Sequence, residues 1–136
     1  MMGEFYAEGG YVLNRQRATE AFATLLADDR LGYVWFIQVN GRDAGYVVLT
    51  LCYSMEYGGP SAFVDDLFVR LPFRGAGLGT AALTEVRAFC AERGVRAIQV
   101  ETGRNNVAAQ TVYRRVGFTD TDRQLLALRL ANPTHE

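Results

Sequence analysis

The run FVDDLFVRLPFRGAGLG, Phe63 to Gly79, decides the reading of this chain. Phe63–Val69 has the β-rich, largely apolar composition of a buried strand. A short turn through Pro72 follows. Then Arg74-Gly75-Ala76-Gly77-Leu78-Gly79 leads into a helix predicted from Thr80 to Arg93. Glycines at 75, 77 and 79 let backbone approach a ligand closely, and the first turn of a helix leaves several N–H groups without intrahelical partners. Those groups, with the positive end of the helix dipole, make an anion site suited to phosphate or pyrophosphate.

Three loop chemistries compete for this site. A P-loop needs a lysine after its glycines, and none follows here. A dinucleotide fingerprint needs G-x-G-x-x-G, with an acid such as Glu101 about twenty residues on. The spacing here is G-x-G-x-G, and the loop enters through five residues, Arg70 to Arg74, where a dinucleotide turn is tight. The third pattern, [RQ]-x-x-G-x-[GA], is met by Arg74, Gly77 and Gly79. At this point the chain resembles the GNAT superfamily of N-acetyltransferases, in which this loop wraps the pyrophosphate of acetyl-coenzyme A. The resemblance implies that Arg74, Gly75, Ala76, Gly77, Leu78, Gly79 and Thr80 bind the cofactor. For Arg74 an ordinary surface role is the alternative.

A second segment, NNVAAQTVYRRVGF from Asn105 to Phe118, is similar to the GNAT stretch in which an asparagine starts a helix and a tyrosine follows seven positions later. Asn106 and Tyr113 fit that spacing, two helical turns apart on one face. By resemblance, Asn106 and its neighbour Ala109 contact the pantetheine or pyrophosphate side of the cofactor. Tyr113 would bond the thioester sulfur and protonate the leaving thiolate. A phenol has a pKa of about 10, so it keeps its proton at neutral pH and can support a developing thiolate. The alternatives are a packing aromatic and a simple helix cap. The resemblance also implies that the sheet splays at Leu67, Phe68 and Val69, whose backbone N–H groups would polarise the thioester carbonyl as an oxyanion hole does.

Asp65 and Asp66 are adjacent carboxylates in an otherwise apolar strand. Strand alternation sends them to opposite faces, Asp65 with Phe63, Leu67 and Val69, and Asp66 with Val64 and Phe68. Buried acids are costly unless paired, and desolvation raises their pKa toward that of a useful base. The pair is similar to the Glu-Asp that spermidine/spermine acetyltransferases carry near the same strand end. On that basis Asp65 is the expected general base, working through water, with a solvated or ion-paired strand residue as the alternative. Asp66 is expected to be structural or to orient substrate. Glu56, Asp65, Asp66 and Glu101 are expected to line an acidic pocket for a cationic amine, with Tyr53, Tyr57 and Trp35 as apolar walls.

The chain of 136 residues suits one domain with a single core. A net charge of −1 implies no basic face for nucleic acid. No apolar run approaches a membrane span, and the N-terminus lacks a signal-peptide pattern. Cys52 and Cys90 lie in apolar segments without metal-like spacing and read as reduced core residues of a cytoplasmic protein. The single histidine, His135, sits in a polar tail over 131–136, which argues against a histidine triad and against a metal site.

Periodicity predicts a helix from Asn14 with Ala18, Phe22, Leu25 and Leu26 on one face, ended by Asp28-Asp29. Strands are predicted at Tyr33–Val39 and Ala44–Tyr53, turning through Asn40-Gly41, with a loop over Ser54–Ser61 before the Phe63–Val69 strand. A short strand at Ala97–Glu101, a helix from Asn106 to Val116 and a last strand at Leu125–Leu130 complete the order. The result is an α/β domain with a mixed, mostly antiparallel sheet, a central parallel β-α-β crossover, and flanking helices. The resemblance covers residues 4–130, and GEFYAEGG matches only the end of the family's first helix, with no strand before it. Homodimer contact over the exposed edge, or a start codon placed too far downstream, would account for this. The resemblance implies an acetyl-CoA-dependent N-acetyltransferase acting on a small-molecule or peptide amine without a metal. Its rival is a CoA-binding regulatory module that has lost catalysis.

Overall fold

Alternating apolar residues and two well-marked turns build a sheet with helices on both faces. The structure, a computed structural model, describes residues 1–8 and 14–130. Helices α1 (Met2–Glu8) and α2 (Arg15–Ala27) precede strands β1 (Gly32–Val39), β2 (Arg42–Ser54) and β3 (Gly59–Val69). A 3-10 turn at Leu71–Phe73 leads to α3 (Leu78–Glu92), β4 (Ala97–Val100) and α4 (Val107–Val116). The sheet order is β1-β2-β3-β4, antiparallel between β1, β2 and β3 and parallel between β3 and β4.

Local chemistry explains the element ends. Asn14 caps α2, its side-chain oxygen accepting from Arg17 N at 3.0 Å. Asn40 and Gly41 take φ of 51° and 76°, the paired left-handed conformation that matches the twist of a two-residue hairpin. β3 starts at Gly59, four residues before the predicted Phe63, so the turn is confined to Met55–Gly58. The buried Ser61 hydroxyl donates to Ala97 O at 3.4 Å, and Arg96 N donates to Pro60 O at 2.8 Å, tying the start of β3 to β4.

Each face of the sheet carries its own core. Val47, Leu49, Ala62 and Val64 pack with Leu83, Val86 and Cys90 of α3 and Val116 of α4. Tyr46, Val48 and Phe68 on the other face are covered by Met2 of α1 and by Phe22 and Leu25 of α2. Burying each large apolar side chain contributes about 1.5–3 kcal/mol, and the α3 face holds the larger set of buried residues among those described. An ion pair between Arg70 and Glu4, 3.3 Å apart, joins α1 to the end of β3.

Two expectations need correction. Cys52 is exposed; alternation puts it on the Tyr46–Val48 face, beyond the patch that α1 and α2 cover, and only Cys90 is a core thiol. Leu125–Leu130 forms no strand. Its alternating apolar pattern favours one, but a strand also needs a ladder partner, and among the described residues no strand pairs beyond β4. Leu126, Leu128 and Leu130 are 85%, 85% and 93% exposed, and the segment is tied back to the β2–β3 turn by Arg123 on Glu56 at 2.6 Å. The parallel pair therefore lies at one edge of the described sheet rather than at its centre.

Gly45 sets how closely β2 approaches the end of β3. A Cβ there would meet Phe68 O at 2.1 Å. Gly45→Ala should therefore cost about 2–4 kcal/mol in chemical denaturation, the range of a backbone clash that cannot relax through side chains. A loss below about 0.5 kcal/mol would show that the two strands are not held at this spacing.

Candidate active site

β3 is eleven residues long and β4 only four, so the two strands part company. Their parallel pairing runs from Ser61↔Ala97 to Val64↔Val100 and stops there. On its other side β3 stays paired with β2 as far as Val69. Arg70 N donates to Ala44 O at 2.7 Å, toward β2. Because successive N–H groups in a strand point to alternate sides, those of Val69 and Leu67 point to the side that β4 has left. Val69 O accepts from Arg74 Nε at 2.7 Å on that open side.

The loop after β3 fits an anion. Gly75 and Gly77 take φ of 85° and 78°, the left-handed region that disfavours a side chain, and nothing lies within 4 Å of a Cβ built on either. Gly77 caps α3 without a side-chain hydrogen bond, and α3 begins at Leu78, two residues before the predicted Thr80. Gly79 differs from the other two glycines. It lies inside the helix, and its Cβ position is 3.4 Å from Val112 Cγ1 of α4, so its role is helix packing. The Arg74 guanidinium lies over the Phe68 ring, 5.4 Å from its centroid.

A bulge rearranges the two acids. The β2–β3 register runs Val48↔Asp66 and then Leu49↔Val64, so Asp65 is an extra residue in β3. Both carboxylates consequently line one groove of about 780 Å3 between α2 and the sheet, against the alternation that assigned them to opposite faces. Asp66 is half-buried and accepts from the Tyr46 hydroxyl at 3.3 Å, whereas Asp65 is exposed. Burial, then the neighbouring Asp65 charge, pushes the Asp66 carboxyl up to about 6, with the Tyr46 hydrogen bond acting in opposition.

α4 supplies the phenol. Asn106 caps the helix, its side chain accepting from Ala109 N at 3.2 Å, and Tyr113 follows two turns later. Tyr113 is half-buried, edge-on to Phe118 with ring centroids 5.5 Å apart, and packs against the core on the α3 face. Burial, then the negative charge of Asp66, pushes its hydroxyl up to about 12. A carboxylate from one face of the sheet thus lies near enough to a phenol from the other to bear on its proton.

The rest of the expected acidic pocket is not assembled here. Glu56 is held by Arg123 in the β2–β3 turn, and neither it nor Glu101, just past β4, lines the groove. Trp35 packs against Phe89 at 5.0 Å between centroids, so it belongs to the α3-side core. Tyr53 and Tyr57 are likewise outside the groove. Its apolar walls are Met2, Phe22, Leu25, Leu31 and Val48. The helical period of Phe22 and Leu25 was visible in the sequence, but it signalled core packing and gave no sign of a wall. Among the described residues no helix is long and apolar enough to cross a membrane, and no cluster of histidine, cysteine and acidic side chains is arranged to hold a metal ion.

Comparison with known proteins bears on this geometry. The sequence model of the acetyltransferase (GNAT) family matches residues 3–118. An uncharacterised N-acetyltransferase of Methanocaldococcus jannaschii is 27% identical over 82% of this chain, which spans only half of that protein's length. An aminoglycoside N(6')-acetyltransferase of Stenotrophomonas maltophilia is 25% identical over 76% of the chain and 70% of its own. An integron cassette protein from the mobile metagenome of Cole Harbour Salt Marsh superposes with a TM-score of 0.88 at 48% identity, over 99% of this chain and 84% of that one. A match across residues 3–118 takes in the parted strands, the glycine loop and the Asn106–Tyr113 helix together, and the chain belongs to the GNAT acetyltransferase family.

Proposed function

We propose that this protein transfers an acetyl group from acetyl-CoA to a primary amine by direct attack in a ternary complex. The observation that carries the reading is the parting of β3 from β4 at Val64, which leaves the Leu67 and Val69 amides directed at an open gap, followed in the chain by a helix N-terminus that no side chain caps. The amides of Gly75, Gly77 and the first turn of α3 fit the diphosphate of the cofactor, with Arg74 beside them. Leu67, Phe68 and Val69 would run along its pantetheine arm, with Asn106 and Ala109 at the start of α4 on the far side. Acetyl-CoA supplies a thioester carbonyl, the electrophile of the reaction.

This chain's own groups then divide the work. The open amides of Leu67 and Val69 donate to the carbonyl oxygen as negative charge develops there. Asp66, ahead of Asp65, is suited to accept a proton from the ammonium, directly or through water, because burial keeps its carboxyl near the pH at which a base is useful. Asp65, exposed beside it, holds the ammonium in the groove. Tyr113 keeps its proton throughout the neutral range and can give it to the departing sulfur. Holding amine and carbonyl together in the groove supplies the orientation term.

Tyr113→Phe keeps the ring against Phe118 and removes only the hydroxyl. Turnover in a thiol-release assay should fall about 100-fold while the dissociation constant for acetyl-CoA stays within about threefold. Equal turnover would remove the phenol from the chemistry.

The carboxyl of Asp66 gives two pH signatures. As base it must be ionised, so kcat/KM should rise with pH through about 6, and Asp66→Asn should abolish that limb together with most activity. Because its folded pKa is raised above the ordinary 3.8, the folded state holds the proton more tightly than the unfolded chain. Stability from this group is therefore present at acid pH and lost as pH rises from about 4 to about 6. Asp66→Asn should flatten that part of the stability–pH curve. An unchanged acid limb with a flattened stability curve would locate the base elsewhere.

A further inference from the structure

We infer that the acceptor is a monoamine carrying an apolar body, rather than a polyamine or a polyhydroxylated amino sugar. This rests on the reading of the groove as the acceptor site and names the class of amine it takes. The groove has one charged pole and a hydrophobic floor. Asp65 and Asp66 stand together where the bulge turns both toward it, while Ala18, Phe22 and Leu25 of α2 face Val48 across the floor. Phe22 and Leu25 pack on the Tyr46–Val48–Phe68 core, so this wall is fixed in place by the fold.

The polar residues of α2 that border the groove lie on its exposed side. Arg17, Glu20 and Thr24 are all exposed, and the Asn14 side chain is committed to its cap, accepting from Arg17 N. An ammonium seated at the acid pair therefore leaves the rest of its molecule along an apolar strip. There an alkyl or aryl body sheds water favourably, and hydroxyls would lose their hydrogen bonds to water with only the Thr50 hydroxyl of β2 among the floor side chains to replace them. A second ammonium would meet one further carboxylate of the lining, Glu20, exposed at the rim with the guanidinium of Arg17, and none along the floor. Glu56 and Glu101, which would have extended the acidic lining, stand outside the groove.

The test compares 2-phenylethylamine, 1,4-diaminobutane and neamine in a thiol-release assay, with acetyl-CoA binding measured in parallel. The phenyl amine should have the highest kcat/KM, by about tenfold or more. Ala18→Glu, which puts a carboxylate on the floor, should reverse the preference toward the diamine. Leu25→Ala should raise KM for the phenyl amine more than for the diamine. Acetyl-CoA affinity in the same variants reports whether they are folded. Preference of the unaltered protein for the diamine or neamine would overturn this inference and leave the acetyltransferase reading standing. Acetyl-CoA binding without turnover of any of the three amines would also overturn it. Failure to bind acetyl-CoA at all would remove the reading on which it rests.

Discussion

The organisation of this protein depends on a mismatch of length between two neighbouring strands. β4 supplies four residues of parallel ladder and then leaves the sheet, while β3 continues for five more with, among the described residues, only β2 paired at its side. A strand edge with unpaired amides is ordinarily a liability. Here the chain runs on from that edge into the glycine loop and the start of α3, whose first-turn amides lack intrahelical partners. Ser61 and Arg96 hold the paired end together, and the close approach at Gly45 holds the unpaired end against β2. The course of β3 along the gap is thus fixed by its pairings, as a preorganised electrostatic site requires.

The extra residue in β3 adds the acid–base character. Without the bulge, Asp65 and Asp66 would point to opposite faces, and one charge would be driven into the α3-side core. With it, both line the α2 groove, and burial, then the neighbouring Asp65 charge, raises the cost of ionising Asp66. The phenol of Tyr113 arrives from the other face, and its proton is held more firmly by burial and then by the charge on Asp66.

Much of this was legible in the residues. Asn40-Gly41, the Asn14 cap and the periodicity of α3 gave the early strands and helices within a few residues, because each rests on local chemistry. The spacing of Arg74, Gly77 and Gly79, and of Asn106 and Tyr113, led to the family that the comparisons bear out. What the residues hid were pairings. A bulge is a relation between two strands, so the alternation of Phe63–Val69 could not reveal that Asp65 is extra. The Arg123–Glu56 pair spans 67 positions, and no local pattern announces it. Leu125–Leu130 has a strand's composition, yet its conformation depends on what lies alongside. Within the glycine loop, composition also hid a division of labour, since Gly75 and Gly77 are left-handed and Gly79 packs in a helix.

Amide-resolved hydrogen exchange at Leu67, Phe68 and Val69, with and without saturating acetyl-CoA, tests the open strand edge most directly. Without cofactor, Leu67 and Val69 should exchange rapidly while Phe68, directed at β2, is protected. Cofactor should slow Leu67 and Val69 about tenfold or more and leave Phe68 little changed. Protection of Leu67 and Val69 in the free protein, or no response at either when acetyl-CoA is bound, would contradict the account.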